Sequence, residues 1–120
     1  MSRAPDARRR ADDFGRRGED FAAAWLAERG WTLLARRVRT PAGEVDLIAR
    51  RPGLVAFVEV KTRASAAELD LAIDALRLTR VAAAAELLAG DYVAPGEDMR
   101  IDVLLIAPGV VRHIENAWLG

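Results

Sequence analysis

Two stretches of the chain carry apolar residues at intervals of three and four, which is the spacing of an amphipathic helix. The first covers about residues 13–29, and Gly30 is placed to end it. The second begins at Ser65, where Glu68 gives the spacing of a capping box, and continues until Gly90 ends it. These patterns predict two helices that each bury one face.

Runs rich in β-branched and apolar residues predict five strands, at residues 31–38, 44–49, 54–61, 99–107 and 110–117. Pro52-Gly53 and Pro108-Gly109 provide turns for two antiparallel hairpins. The order is therefore α-β-β-β-α-β-β. With 120 residues, the chain has room for one α/β domain. We place that domain at residues 13–120, after a flexible basic tail at residues 1–12.

The first hairpin predicts a cluster of charged side chains. With Pro52-Gly53 as a two-residue loop, Asp46 lies opposite Glu59, and Glu44 lies opposite Lys61. Because side chains alternate between the faces of a strand, all four share one face. Acids directly opposite each other repel. A divalent cation between Asp46 and Glu59 would remove this repulsion, and carboxylate oxygens suit Mg²⁺ or Mn²⁺.

The alternative is that these residues form the solvated outer face of an ordinary hairpin. The neighbouring strand residues Val55, Phe57, Val58 and Val60 are apolar on both faces, which is typical of a strand buried on both sides. Ionised side chains in such a strand are costly unless they are paired or bound to a metal. The burial pattern therefore favours a site over a solvated face.

The overall charge at first argues against a nucleic-acid partner, because 18 cationic and 18 anionic residues give a net charge of zero. The two halves differ, however. Residues 1–63 contain 14 cationic and 9 anionic residues, whereas the remainder contains 4 and 9. All but one of the cationic residues are arginines, and the single lysine is Lys61. The arginine clusters are either solvated surface or contacts to phosphate.

Other classes of site are excluded by composition. The chain has no cysteine, which excludes disulfides, thiolate metal sites and cysteine nucleophiles. It has one histidine, His113, which excludes zinc clusters built from histidine. No run approaches the length of about 18 apolar residues that a membrane helix requires, and the N-terminus lacks the apolar region of a signal peptide. We therefore expect a cytoplasmic protein with no membrane partner.

The hairpin resembles a known nuclease signature. Asp46, twelve intervening residues and then Glu59-Val60-Lys61 resemble the active-site pattern of the PD-(D/E)XK nuclease superfamily. More closely, the chain is similar to the YraN-like family of bacterial proteins. The segments that carry this similarity lie within about residues 14–118 and are residues 18–22, 43–49, 57–63, 100–103 and 114–118.

The resemblance implies a restriction endonuclease-like fold, with a central mixed β-sheet flanked by helices. It implies that Asp46 and Glu59 bind Mg²⁺ or Mn²⁺ together with the backbone carbonyl of Val60. Lys61 would orient the attacking water or offset charge on the phosphate. Glu19 would reach the same site from the first helix; the alternative for Glu19 is an acid at a helix start, favoured by the helix dipole.

The implied function is a metal-dependent endonuclease that acts on branched or otherwise structured DNA in repair or recombination. A homodimer would suit the cleavage of two strands. The arginines expected to contact nucleic acid are Arg16, Arg17, Arg37, Arg39, Arg63 and Arg77. Arg77 stands where the family commonly has a lysine. Two alternatives remain: a non-catalytic nucleic-acid-binding or assembly module on the same fold, and an interaction subunit whose acidic second half binds a basic partner.

Overall fold

The computed structural model describes the backbone of residues 4–118 and the side chains of residues 15–118. Its strands are β1 (Thr32–Thr40), β2 (Gly43–Arg51), β3 (Leu54–Thr62), β4 (Asp98–Ala107) and β5 (Val110–Ile114). Its helices are α1 (Ala4–Glu28), the single turn α2 (Ala66–Leu69) and α3 (Ala75–Tyr92). The strands form one sheet in the order β1-β2-β3-β4-β5. Only β3 and β4 pair in parallel, so the sheet is mixed, and the predicted α/β class and element order are confirmed.

The hairpin of β2 and β3 has the predicted register. Residues 47–51 pair with residues 54–58 around the loop Pro52-Gly53. Gly53 has a φ of +78°, a conformation that glycine adopts without steric cost. The ladder ends at the pair Leu47 and Val58, immediately before the acidic residues would meet.

Both faces of the sheet are buried. On one face, α1 packs through the fully or nearly fully buried Ala22, Ala23 and Leu26. On the other face, α3 packs through Val81 and its neighbours against a core that includes Phe57. Phe57 is 0% exposed, and burying such a side chain contributes about 1.5–3 kcal/mol. Double-sided burial explains why β2 and β3 are continuous apolar runs interrupted only by their charged residues.

The first helix begins earlier than predicted. It starts at Ala4 instead of about residue 13, so residues 4–12 of the segment predicted as a flexible tail are helical. The small and charged residues there lack apolar periodicity, which is why the sequence pattern did not indicate a helix. Residues 1–3 of that segment lie outside the described residues, and the division into a tail and one domain stays a prediction.

The second predicted helix is broken in two. Residues 70–74 separate α2 from α3, because the Asp74 carboxylate caps α3 and accepts the backbone N–H groups of Leu76 at 2.9 Å and Arg77 at 3.3 Å. The expected stop at Gly90 was wrong: α3 continues to Tyr92, and the N–H of Val93 donates to the carbonyl of Ala89.

The last strand is shorter than predicted. It ends at Ile114 instead of residue 117, because Asn116 turns into the left-handed region with a φ of +52°. The Asn116 N–H then donates to the buried Asp102 side chain at 3.0 Å instead of to a strand. In the described part of the chain, no helix is long and apolar enough to cross a membrane.

Candidate active site

Two acidic side chains are buried together where the ladder between β2 and β3 ends. Asp46 is 5% exposed and Glu59 is 3% exposed. Asp46 Oδ2 accepts a hydrogen bond from the backbone N–H of Val60 at 2.8 Å, so this side chain replaces a backbone partner. Burial, the charge of Glu59 and a hydrogen-bonding contact with the Glu59 carboxyl group raise the pKa of Asp46 to about 7, against the opposing effect of the Val60 bond.

The backbone of Val60 supplies a further oxygen on this side of β3. In an extended strand, the N–H and C=O groups of one residue point to the same edge. Because the Val60 N–H points to Asp46, the Val60 carbonyl also faces the gap between β2 and β3. The structure therefore brings together the two carboxylates and the carbonyl that the sequence predicts as metal ligands.

Two cationic side chains contact Glu59. Lys61 Nζ lies 3.9 Å from Glu59 Oε1, on the shared strand face that the sequence predicts. Arg77 Nε lies 2.9 Å from Glu59 Oε2. Asp74 caps α3 three residues before Arg77 and so fixes the start of the helix from which Arg77 reaches the site. The hydrogen bond to Glu59 raises the pKa of Arg77.

Glu19 reaches the edge of the site from α1. Its side chain is 14% exposed, and Arg37 Nε lies 2.5 Å from Glu19 Oε1. Burial raises the pKa of Glu19, and the charges of Asp46 and Glu44 raise it too, whereas the bond from Arg37 lowers it. Because α1 begins at Ala4, Glu19 lies well inside the helix and is not an acid at the helix start.

Arg37 holds Glu19 from an unusual backbone conformation. Its φ is +50°, the left-handed region that costs a side-chain-bearing residue about 1–2 kcal/mol. On either side of it, Arg36 pairs with Leu47 and Val38 pairs with Val45 in the regular ladder. Arg37, expected from the sequence to contact nucleic acid, is thus bonded to a site carboxylate, and no local sequence signal marks this conformation.

The residues fit a hard divalent cation. Among the described side chains, no three acidic or histidine residues are grouped so that they could hold a metal ion. The fitting set is therefore the mixed one of Asp46, Glu59 and the Val60 carbonyl, whose oxygens are the ligand type that Mg²⁺ and Mn²⁺ prefer. Burial is the main cause of the raised pKa of Asp46, and the neighbouring charge of Glu59 adds to it.

Comparison with known proteins places the chain in a family. Residues 18–106 match the model of "Uncharacterised protein family UPF0102". The chain belongs to UPF0102. This is the YraN-like family that the sequence resembles, and the matched range contains every residue of the site just described.

Full-length relatives support the assignment. A UPF0102 protein of Erythrobacter litoralis (strain HTCC2594) is 62% identical over 109 residues, covering 90% of this chain and 94% of the relative. A UPF0102 protein of Sphingopyxis alaskensis is 55% identical, with the same coverage. A third, from Rhizorhabdus wittichii, is 53% identical over 92% of this chain and 94% of its own length.

The remaining predicted arginines of the UPF0102 chain pair with another acid or line grooves. Arg39 Nε lies 3.5 Å from Glu44 Oε2. Arg16 lines a groove of about 280 Å³ beside Glu19. Arg17 and Arg63 line a larger cavity of about 580 Å³. Their contacts with nucleic acid stay a prediction.

A third buried acid serves the fold of this UPF0102 protein. Asp102 is 0% exposed, and Arg100 contacts both of its oxygens, at 2.8 and 3.1 Å. His113 Nε2 lies 2.8 Å from Asp102 Oδ2, and the Asn116 N–H donates to Asp102 Oδ1. Burial alone would raise the pKa of Asp102, but the bonds from His113, Arg100 and Asn116 outweigh it and lower that pKa. This saturated cluster anchors the C-terminal segment to β4.

Proposed function

We propose that this UPF0102 protein is a metal-dependent nuclease that hydrolyses phosphodiester bonds at the site formed by Asp46, Glu59, Val60 and Lys61. The observation that carries the proposal is the burial of two adjacent carboxylates, with the pKa of Asp46 raised to about 7. Such a pair opposes folding unless its charge is neutralised. A fold that retains it beside a lysine is typical of a cation site used for chemistry.

The residues of the site would have different roles in hydrolysis. Asp46, Glu59 and the Val60 carbonyl would hold Mg²⁺ or Mn²⁺, which supplies Lewis acidity toward a phosphoryl oxygen and toward the attacking water. The Lys61 ammonium, which is 21% exposed, would orient that water or offset charge on the phosphate. Hydrolysis of a phosphodiester depends mainly on such positioning and charge stabilisation.

Arg77 and Arg37 prepare the site for a charged substrate. Each is hydrogen-bonded to a site carboxylate, Arg77 to Glu59 and Arg37 to Glu19. When a cation neutralises the carboxylates, these guanidinium groups become available for phosphate oxygens, which they bind in the same planar geometry. As an arginine, Arg77 can contact phosphate but cannot act as a titratable amine.

The substrate we propose is DNA with branched or otherwise structured regions, cleaved by a homodimer that presents one site to each strand. Support comes from the resemblance to nucleases of this signature and from the excess of positive charge in residues 1–63. A non-catalytic binding module is the second candidate. The presence of Lys61 beside Glu59 favours the enzyme, because binding alone does not require a lysine at a buried carboxylate.

A cleavage assay tests the proposal. Labelled single strands, duplexes, flaps, forks and four-way junctions, with RNA counterparts, are incubated with Mg²⁺, Mn²⁺ or EDTA. We expect metal-dependent cleavage by wild type and none by Glu59→Gln. Glu86→Gln is the matched control, because Glu86 is an exposed acid on α3.

Two results would contradict the proposal. One is the absence of cleavage on every substrate. The other is equal cleavage by wild type and Glu59→Gln, which would indicate a contaminating nuclease. If both proteins bind DNA alike and neither cuts it, the non-catalytic module is the correct function.

A further inference from the structure

The cavity lined by Arg17 and Arg63 lies on the opposite face of β3 from the candidate active site. It has a volume of about 580 Å³ and lies between α1, the ends of β3 and β4, and the turn that joins β4 to β5. This volume is within the range of about 300–1,000 Å³ that is usual for ligand sites. Its walls are mainly apolar and are formed by residues such as Phe21, Ile106, Pro108 and Val110.

The cavity and the candidate active site lie on opposite faces of the same end of β3. Gly18 and Thr62 line the cavity, and their chain neighbours Glu19 and Lys61 belong to the site. Consecutive Cα atoms are ~3.8 Å apart, and successive strand side chains point to opposite faces. Lys61 therefore faces the site while Thr62 faces the cavity. A strand of nucleic acid that lies across this end of β3 contacts both.

The lining combines an aromatic ring with cationic groups. Phe21 is 48% exposed, which leaves much of its ring uncovered at the cavity wall. Two arginines also line it: Arg17 is exposed, and the half-buried Arg63 donates from Nη1 to the carbonyl of Thr62 at 2.7 Å. Stacking on an aromatic side chain with arginine contacts to the backbone is how proteins hold single-stranded bases.

We propose that this cavity binds an unpaired nucleobase of the strand whose phosphate lies at the Asp46 and Glu59 site. The inference rests on the proposed function and adds a substrate class to it: nucleic acid with unpaired nucleotides beside the scissile bond. A base inside a duplex is stacked and paired, and entering the cavity would require it to be unstacked. The guanidinium group of Arg63 in the lining favours a nucleotide over an uncharged apolar ligand.

Binding measurements in EDTA test this inference separately from cleavage. Fluorescence anisotropy gives the affinity for a duplex with a thymidine overhang, for the same duplex with an abasic overhang, and for a blunt duplex. We expect wild type to bind the thymidine overhang about tenfold more tightly than the abasic one. Phe21→Ala should lose this difference, whereas Phe21→Trp should keep it, because an indole ring also stacks.

Leu87→Ala is the matched control. Leu87 is an apolar residue on α3 that is 58% exposed and lies outside the lining of the cavity. We expect this variant to bind all three DNAs as wild type does. Because Phe21 is half-exposed, Phe21→Ala should fold, and a thermal melt of each variant verifies this.

The outcomes separate the cavity from the nuclease. Equal affinities of wild type for thymidine and abasic overhangs, or an unchanged preference in Phe21→Ala, would overturn the cavity proposal while leaving cleavage untouched. A change of oligomeric state in Phe21→Ala, seen by sedimentation, would show that a second copy occupies the cavity and would also overturn it. Base-dependent binding through Phe21 without any strand cleavage would support the cavity and overturn the proposed nuclease.

Discussion

Gly18 sets how closely α1 approaches β3, and its replacement is the sharpest test of this packing. A Cβ at Gly18 would overlap Thr62 Cγ2, a contact that real atoms do not tolerate. Thr62 is β-branched and lies in a strand, so its side chain has few alternative rotamers. Gly18→Ala must therefore displace the helix or strain the strand.

The expected effect is a balance of two quantities. Overpacking of this kind costs about 1–3 kcal/mol. Replacing glycine by alanine inside a helix contributes about 0.5–1 kcal/mol in the opposite direction. We expect Gly18→Ala to lower the free energy of unfolding by about 1 kcal/mol. Gly15→Ala, in the same helix, should raise it by about 0.5–1 kcal/mol, because no atom lies within 4 Å of the added Cβ.

Thr62→Ser identifies the contact responsible. It removes Cγ2 but keeps the hydroxyl, so the cost of Gly18→Ala should largely disappear in the Thr62→Ser background. Urea denaturation followed by circular dichroism gives all four free energies, and the double-mutant cycle should show a coupling of about 1 kcal/mol. The reasoning is refuted if Gly18→Ala stabilises the protein as Gly15→Ala does, or if its cost is unchanged in the Thr62→Ser background.

Two further predictions concern buried carboxylates with opposite pKa shifts. The pKa of Asp46 in the folded state is about 7, above its ordinary value of 3.8, so the metal-free wild type loses stability as the pH rises from about 4 through 7. We therefore expect Asp46→Asn to be more stable than wild type at pH 8, by up to ~4 kcal/mol, and equally stable near pH 4. Denaturation in EDTA at both pH values checks this, and equal stabilities at pH 8 would contradict it. The pKa of Asp102 is lowered, so its ionised side chain contributes to the free energy of unfolding above pH 4, and this contribution is lost as the pH falls through the lowered pKa. We therefore expect Asp102→Asn to lower the free energy of unfolding by about 3 kcal/mol at pH 7 and by less at pH 3. A cost that does not change with pH would show that packing, not charge, dominates at Asp102.

The pattern of apolar and turn residues was sufficient to predict β2 and β3, the two strands that carry the site. Pro52-Gly53 sets a two-residue loop, and the period of a strand then determines that Asp46 and Glu59 approach each other and that Lys61 shares the face of Glu59. These inferences need only short-range geometry. The same holds for the double-sided burial of β3, which follows from its continuous apolar run.

Contacts between distant elements could not be predicted in this way. The bond from Arg77 to Glu59 depends on where α3 begins, and that is decided by Asp74 capping the helix after a break that the apolar spacing does not show. Arg37 has a left-handed backbone conformation, and its bond to Glu19 joins β1 to α1 across 18 residues of sequence. Both result from tertiary packing that overrides the local preference of the residue concerned.

These contacts pair arginines with the acids around the site. Three acids around the site each pair with an arginine: Glu19 with Arg37, Glu44 with Arg39, and Glu59 with Arg77. Asp46 is bonded instead to a backbone N–H, and among these acids it has the pKa raised to about 7.

Arg37, Arg39 and Arg77 are thus paired with acids around the site. How far these arginines are available to phosphate therefore depends on the charge that those acids carry. Under the proposed function, a cation bound at Asp46 and Glu59 would weaken the hold on Arg77. Phosphate bound by Arg77 and Arg37 would leave the carboxylates more negative and more attractive to a cation. The cation and the phosphate therefore each weaken the carboxylate–arginine pairs that oppose binding of the other. By linkage, the two should bind with mutually increased affinity.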